Sequence, residues 1–192
     1  MSQEVEELVR QITTCTKCRL CEKRTNAVPG EGSYSAEVMF IGEGPGRDED
    51  AQGRPFVGAA GKLLTQLIES IGLTRDQVFI ANVVKCRPPN NRDPELDEIA
   101  TCFPYLERQV ELIKPKLIVT LGRHSMGRFL PGLKISEVHG QPKRANGIWQ
   151  TRQVYLPLYH PAVALYDPSK KEVLFSDFKK IPIILKKIND AS

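Results

Sequence analysis

The stretch VMFIGEGPGRDED, residues 38–50, is a short unbroken apolar run that breaks into glycine, proline and then acid. A Gly-rich turn after a strand commonly cradles phosphate on its backbone N–H groups. Glu43, Asp48, Glu49 and Asp50 make this turn acidic, so a bare phosphate is a poor fit for it. Four runs share the apolar, β-rich character: EVMFIG (37–42), QVFIANVV (77–84), KLIVTLG (116–122) and RQVYLPLYH (152–160). Each is continuous rather than alternating, as expected of strands in a parallel sheet covered on both faces.

Helical patterns fill the gaps. GKLLTQLIESIGL (61–73) repeats apolar residues at helical spacing, with Gly72 placed to end the helix. DPELDEIATCFPYLERQVELIKP (93–115) opens on Asp93 and Pro94 as cap and first-turn pair and stops before Pro115. EVLFSDFKKIPIILKKI (172–188) is interrupted by Pro182. HGQPKRANG followed by GIWQTRQV (139–154) reads as a turn between two short strands ahead of the fourth core strand. The alternation predicts an α/β chain, a three-layer α/β/α domain on a central, mainly parallel four-stranded sheet. Sites in such sheets lie beyond the carboxyl ends of the strands, which makes neighbours of 42–50, 82–92, 122–125 and 160–166.

Bulk properties agree with one domain over 1–192. The chain has 192 residues, 41% hydrophobic and 26% charged, with a formal net charge of +4. That mild basicity fits a polyanion binder without requiring one. The opening MSQEVEELVRQITTC is charged and amphipathic, with none of the apolar core of a signal peptide. No segment approaches a membrane span, so a cytoplasmic protein with reduced thiols is expected. Cysteines there more often bind metal or act chemically than form disulfides.

Five cysteines occur: Cys15, Cys18, Cys21, Cys86 and Cys102. CTKCRLCEK holds two overlapping C-x-x-C pairs, a chelating geometry common to zinc and iron–sulfur sites. Cys86 ends the second strand and Cys102 lies in the long helix, so both could close on the N-terminal pair; taken singly, each would pass for a small core residue. Four thiolates without clustered histidine suit zinc or a [4Fe–4S] cluster equally, and one of the three N-terminal cysteines is surplus.

GEGPGRDEDAQGRPFVGAAGKLL (42–64), NVVKCRPPNNRDP (82–94) and HPAVALYDP (160–168), behind an early C-x-x-C, together resemble the iron–sulfur (fourth-family) uracil-DNA glycosylases. The match runs from about Cys15 to Asp167. It implies a parallel sheet flanked by helices, uracil-containing DNA (single- or double-stranded) as partner, and a [4Fe–4S] cluster on Cys15, Cys18, Cys86 and Cys102, with Cys21 free. A cluster so held would tie down the N-terminal segment and be structural, since base hydrolysis moves no electrons.

The resemblance also assigns the site. Asn82 would pair one amide acceptor and donor with uracil N3–H and O4, a pattern that cytosine reverses. Phe56 would stack on the flipped base, Glu49 would crowd out the thymine methyl, and Gly42, Gly44, Pro45 and Gly46 would let backbone approach closely. Glu43 would orient the attacking water and face the developing sugar cation, which accounts for the acidic turn; some relatives carry another polar residue there. His160 would donate to uracil O2. Leu165 would wedge into the base stack, while Arg87 and the segment with Ser125 would meet phosphates. Tyr166 and Asp167 stand where the family frequently has a basic residue, so Tyr166 would contact DNA by stacking instead. His124 and His139 are expected to be structural or surface groups, with His124 beside Arg123 open to a phosphate.

Other readings compete: a zinc or iron–sulfur nucleic-acid-binding protein without chemistry, an iron–sulfur redox protein, and a hydrolase using metal at Glu43, Asp48 and Asp50. The lysines of the last helix read as a solvated face. A monomer is expected, working with a replication or repair partner that the sequence does not name.

Overall fold

The computed structural model describes residues 2–146 and 152–191. Along the chain it contains α1 (Gln3–Thr13), β1 (Glu31–Gly32), β2 (Val38–Gly42), α2 (Arg47–Gln52), α3 (Ala59–Glu69), β3 (Phe79–Asn82), α4 (Leu96–Ile113), β4 (Leu117–Leu121), α5 (Arg123–Phe129), α6 (Ile135–Val138), β5 (Lys143–Asn146), β6 (Arg152–Leu158), α7 (Val163–Tyr166), α8 (Ser169–Phe178) and α9 (Lys180–Asn189).

Runs with no polar side chain to show to water must be covered on both sides, and β2 and β4 are buried at every position. Met39 and Ile41 point into one core, with Leu8 and Ile12 of α1, Leu106 and Val110 of α4, and Met126 of α5. Val38 and Phe40 point into the other, with Leu64 and Leu67 of α3, Phe178 of α8 and Ile181 of α9. Two helical layers therefore sandwich the sheet, as the continuous apolar runs predict.

The sheet has six strands in the order β1-β3-β2-β4-β6-β5, not four. The central four are the expected runs and pair in parallel. The additional β1 and β5 lie antiparallel on the two edges. Neither has an apolar run to betray it: β1 is Glu31–Gly32 and β5 is the polar KRAN, because an edge strand has no second neighbour. Residues 147–151, within the predicted turn before the fourth core strand, lie outside the described residues.

Local chemistry sets the helix ends. Gly72, with φ 77°, ends α3 as expected, and the Leu73 N–H returns to Ile68 O at 3.3 Å. The long helix starts later than Asp93–Pro94: its cap is Glu95, whose N–H donates to Glu98 Oε2 at 2.8 Å, one half of a capping exchange. It closes on left-handed Lys114, just before Pro115. The C-terminal helix breaks at Lys179, three residues before Pro182. Among the described residues no helix is long and apolar enough to cross a membrane.

Candidate active site

Gly42 and Asn82 end adjacent parallel strands in register. A Cβ on Gly42 would lie 2.4 Å from Asn82 Oδ1 and 2.6 Å from Phe56 Cζ, so only glycine lets these two side chains reach the strand end. Phe56 is held in the left-handed region at φ 51°, a strained choice for an aromatic residue. Its neighbours enforce that conformation. Glu49 Oε1 accepts the N–H groups of Val57 and Gly58 at 2.8 and 2.9 Å, and Arg75 donates to Pro55 O and Phe56 O at 2.7 and 3.2 Å. The Phe56 ring faces that of His160 with centroids 5.5 Å apart.

Asn82, Phe56 and His160 line a pocket of about 360 Å³ with Glu43, Gly44, Pro45, Gly46, Glu49, Arg92 and Asp93. Two buried polar atoms on its wall, Asn82 Oδ1 and Glu43 Oε1, have no hydrogen-bond partner. Unpaired polar atoms in a folded interior are costly and mark a place for a ligand. Burial first and the Asp93 charge second push the Glu43 carboxyl up to about 7, against the pull of Arg123 and Arg128. Burial pushes His160 down to about 4, against the Glu49 charge. His160 Nδ1 accepts the Ala162 N–H at 3.1 Å, so the neutral ring carries its proton on Nε2.

The acidic residues of the turn diverge. Glu49 also accepts the Gly46 N–H at 3.1 Å and so acts as a clamp within the pocket wall. Asp50 is buried and accepts the Thr25 N–H at 2.9 Å, and neither it nor Asp48 lines the pocket. The trio Glu43, Asp48 and Asp50 is therefore not assembled around one metal position.

Four residues were expected on DNA. Leu165 is 48% and Tyr166 88% exposed, both on the short helix α7 that follows His160. Arg87 is half-buried, with its Nε donating to Asn91 Oδ1 at 2.7 Å. Ser125 corrects the expectation: it is completely buried, and its hydroxyl donates to Ile41 O at 2.6 Å, so it locks α5 to β2 and cannot reach a phosphate.

All five cysteines line a single small cavity, bounded by Ile12, Arg24, Lys85 and Tyr105. Cys21, expected to be free, is thus a neighbour of the four predicted ligands. Arg24 Nη1 lies 3.0 Å from Cys86 Sγ, and the Lys85 N–H donates to Cys102 Sγ at 3.2 Å. Burial raises the thiols of Cys18 and Cys86 and pushes Cys102 up to about 11. A dense sulfur donor set with N–H and guanidinium donors turned toward it fits a thiolate-ligated metal or cluster, whose binding would displace the thiol protons.

The profile of the uracil DNA glycosylase superfamily matches residues 29–181. The chain belongs to that superfamily. It is 55% identical over 184 residues to a type-4 uracil-DNA glycosylase of Sulfurisphaera tokodaii, covering 92% of this chain and 83% of that one. A type-4 uracil-DNA glycosylase of Archaeoglobus fulgidus is 49% identical, covering 93% and 92%. One of Thermotoga maritima is 42% identical, covering 96% and 97%. At these identities the chain belongs to the type-4 branch of the superfamily.

The parts that four residues around the site play escaped sequence reasoning. Glu98 is fully buried and accepts from Arg19 of the cysteine segment and twice from Arg92 of the pocket wall, at 2.7 to 3.0 Å. Its signal was its place three residues after a helix cap. Lys85 is buried between the pocket and the sulfurs, and a lysine ending a buried apolar run was the hint. Asp93 and His124 meet at the pocket mouth, which no local pattern announces.

Proposed function

We infer that this chain is a monofunctional uracil-DNA glycosylase that flips uracil from DNA, hydrolyses its N-glycosidic bond and leaves an abasic site. The observation that carries the reading is the orphaned Asn82 Oδ1, buried in a pocket walled by Phe56 and His160. A buried acceptor in that position calls for a donor. Uracil brings N3–H, whereas cytosine brings an acceptor nitrogen and leaves Asn82 unpaired.

The other residues then take complementary parts. Phe56, fixed by Glu49 and Arg75, offers a flat face for stacking. Glu49, held by three N–H groups, is a rigid wall for the C5 side of the base, where a methyl would need room. The neutral His160 points Nε2–H rather than a charge at O2, which suits a leaving group that gains negative charge. Water adds to C1′ as the C1′–N1 bond breaks; the bonding pair leaves with uracil, and Glu43 takes the water proton while facing the cationic sugar. Leu165 and Tyr166 are exposed beside this pocket, where an apolar wedge could hold the gap left by the base. Arg87 keeps its terminal nitrogens for a phosphate.

Cys15, Cys18, Cys86 and Cys102 would hold a [4Fe–4S] cluster. Bound there, it supplies a covalent staple and no redox step. Arg19 and Arg24, in the same segment as the first two cysteines, already tie that segment to Glu98, Thr13 O and Cys86.

The test is uracil release from a single-uracil oligonucleotide in the presence of EDTA, beside thymine and cytosine counterparts. Free uracil and an alkali-labile site on the first strand alone are expected. Intact but bound DNA would reduce the chain to a binding module, and cleavage abolished by EDTA would make it a metal hydrolase.

A further inference from the structure

Glu43 does not stand alone at the mouth of the pocket. His124 Nδ1 lies 3.9 Å from Glu43 Oε1, and His124 Nε2 lies 3.2 Å from Asp93 Oδ2. One polar atom from each of the three falls within 4.8 Å of the other two. They come from separate segments: the turn after β2, the approach to α4, and the first turn of α5. Glu43 Oε1 is buried and otherwise unpartnered, so the imidazole is the polar ring nearest to completing it.

We propose that Asp93 and His124 are positioning residues for Glu43, a carboxylate–imidazole–carboxylate chain that aims its carboxylate and carries the proton of the attacking water to solvent. The proposal rests on the assignment of Glu43 to that water.

The ring has the partners for both protonation states. Neutral with its proton on Nε2, 3.2 Å from Asp93 Oδ2, the ring turns the open Nδ1 toward Glu43 and can take a proton there; Arg123 Nε, 3.0 Å from Nε2, serves the other tautomer. Charged, it carries Nδ1–H on the Glu43 side and releases the Nε2 proton on the Asp93 side. The proton sequence balances without another reactant. The water O–H breaks and its proton passes to Glu43, from Glu43 to His124, and from His124 by way of Asp93 to bulk water. Asp93 and His124 are 64% and 38% exposed, against 26% for Glu43, so the chain leads outward. The charged and titratable groups around Glu43 are Asp93 ahead of α4 and His124, Arg123 and Arg128 of α5, with Glu49, Arg92 and His160 lining the same pocket. Asp93 keeps the carboxylate a competent proton acceptor, and the arginines limit how far it does so.

The experiment is single-turnover uracil excision between pH 5 and 9 by the wild type, D93N, H124Q, E43Q and D93N/E43Q, with DNA affinity and melting temperature measured in parallel. D93N removes a negative charge beside Glu43, so the midpoint of the acid limb moves to lower pH. H124Q removes the ring between Glu43 and Asp93, so the plateau rate falls about 10- to 100-fold. Affinity and melting temperature stay at wild-type values, and in the E43Q background D93N adds nothing. If E43Q itself keeps the wild-type rate, the assignment of Glu43 fails and the proposal falls with it. If E43Q loses the rate while D93N and H124Q leave midpoint and plateau unchanged, the proposal alone is overturned. Weakened DNA affinity with a fixed midpoint would make the pair a phosphate contact, which also overturns it.

Discussion

The ammonium of Lys85 lies 2.8 Å from the carbonyl oxygen of Asn82 and 2.6 Å from Gln109 Oε1, completely inside the protein. The backbone N–H of the same residue donates to Cys102 Sγ. One lysine thus connects Asn82, the residue proposed to read the base, with the cavity that gathers the cysteines.

Lys85→Met conserves the length of the side chain but leaves the Asn82 carbonyl and Gln109 Oε1 unpaired. Each orphaned buried acceptor costs about 1–3 kcal/mol, so a loss of about 3 kcal/mol is expected in urea melts. Discrimination of uracil over cytosine should fall as Asn82 loosens, and an unaltered ratio would disconnect the lysine from recognition.

Gly42→Ala tests the close packing at the strand end. The new methyl would meet Asn82 Oδ1 and the Phe56 ring at 2.4 and 2.6 Å. Uracil excision should drop by about 100-fold, as expected of a displacement near 1 Å at a reacting site. Visible absorbance from a cluster should persist, because the cysteine cavity is lined by other residues. Normal excision would show that the base does not enter between these side chains.

Glu98 is held at about 2, chiefly by its hydrogen bond from Arg92, against an ordinary carboxyl value of 4.5. A depressed carboxyl contributes stability that is complete above about 4.5 and is lost as the pH falls toward 2. Glu98→Gln should therefore cost about 2 kcal/mol at pH 7, less than a fully buried pair because both arginines are partly exposed, and the cost should shrink between pH 5 and 3. Denaturation across that range measures it; a deficit that does not change with pH would remove the ionised form from the account.

His160, at about 4, stays neutral across the working range, whereas Glu43, at about 7, titrates within it. A base that must be ionised loses activity as the pH falls below its own value, so excision should decline on the acid side of about 7 with one slope. His160→Ala should lower the plateau about 100- to 1,000-fold without moving that limb. A limb that disappears with His160 would reverse the two roles.

The positions of the central strands, the breaks at Gly72 and before Pro115, and the convergence of Gly42, Asn82 and His160 at one sheet end were all legible in the sequence. Each follows from chemistry that acts within a few residues: continuous apolar runs, left-handed glycine and the proline ring. The edge strands were not legible, since a polar pair such as Glu31–Gly32 becomes a strand only when Phe79 and Ile80 present a ladder to it. Ser125 looked like a strand-end residue free for DNA, and the packing of α5 buried it.

The sequence alone determined a covered parallel sheet, an acidic glycine turn after its first core strand, and a set of cysteines that spacing could not sort further. Tertiary structure decided which carboxylates meet. Glu43 faces Asp93 and His124 across the pocket, while Glu49 and Asp50 turn to backbone N–H groups. The reason is physical: the state of a carboxyl depends on the charges, donors and burial within a few ångströms of it, and for Glu43 the neighbours Asp93 and His124 lie 50 and 81 residues away along the chain.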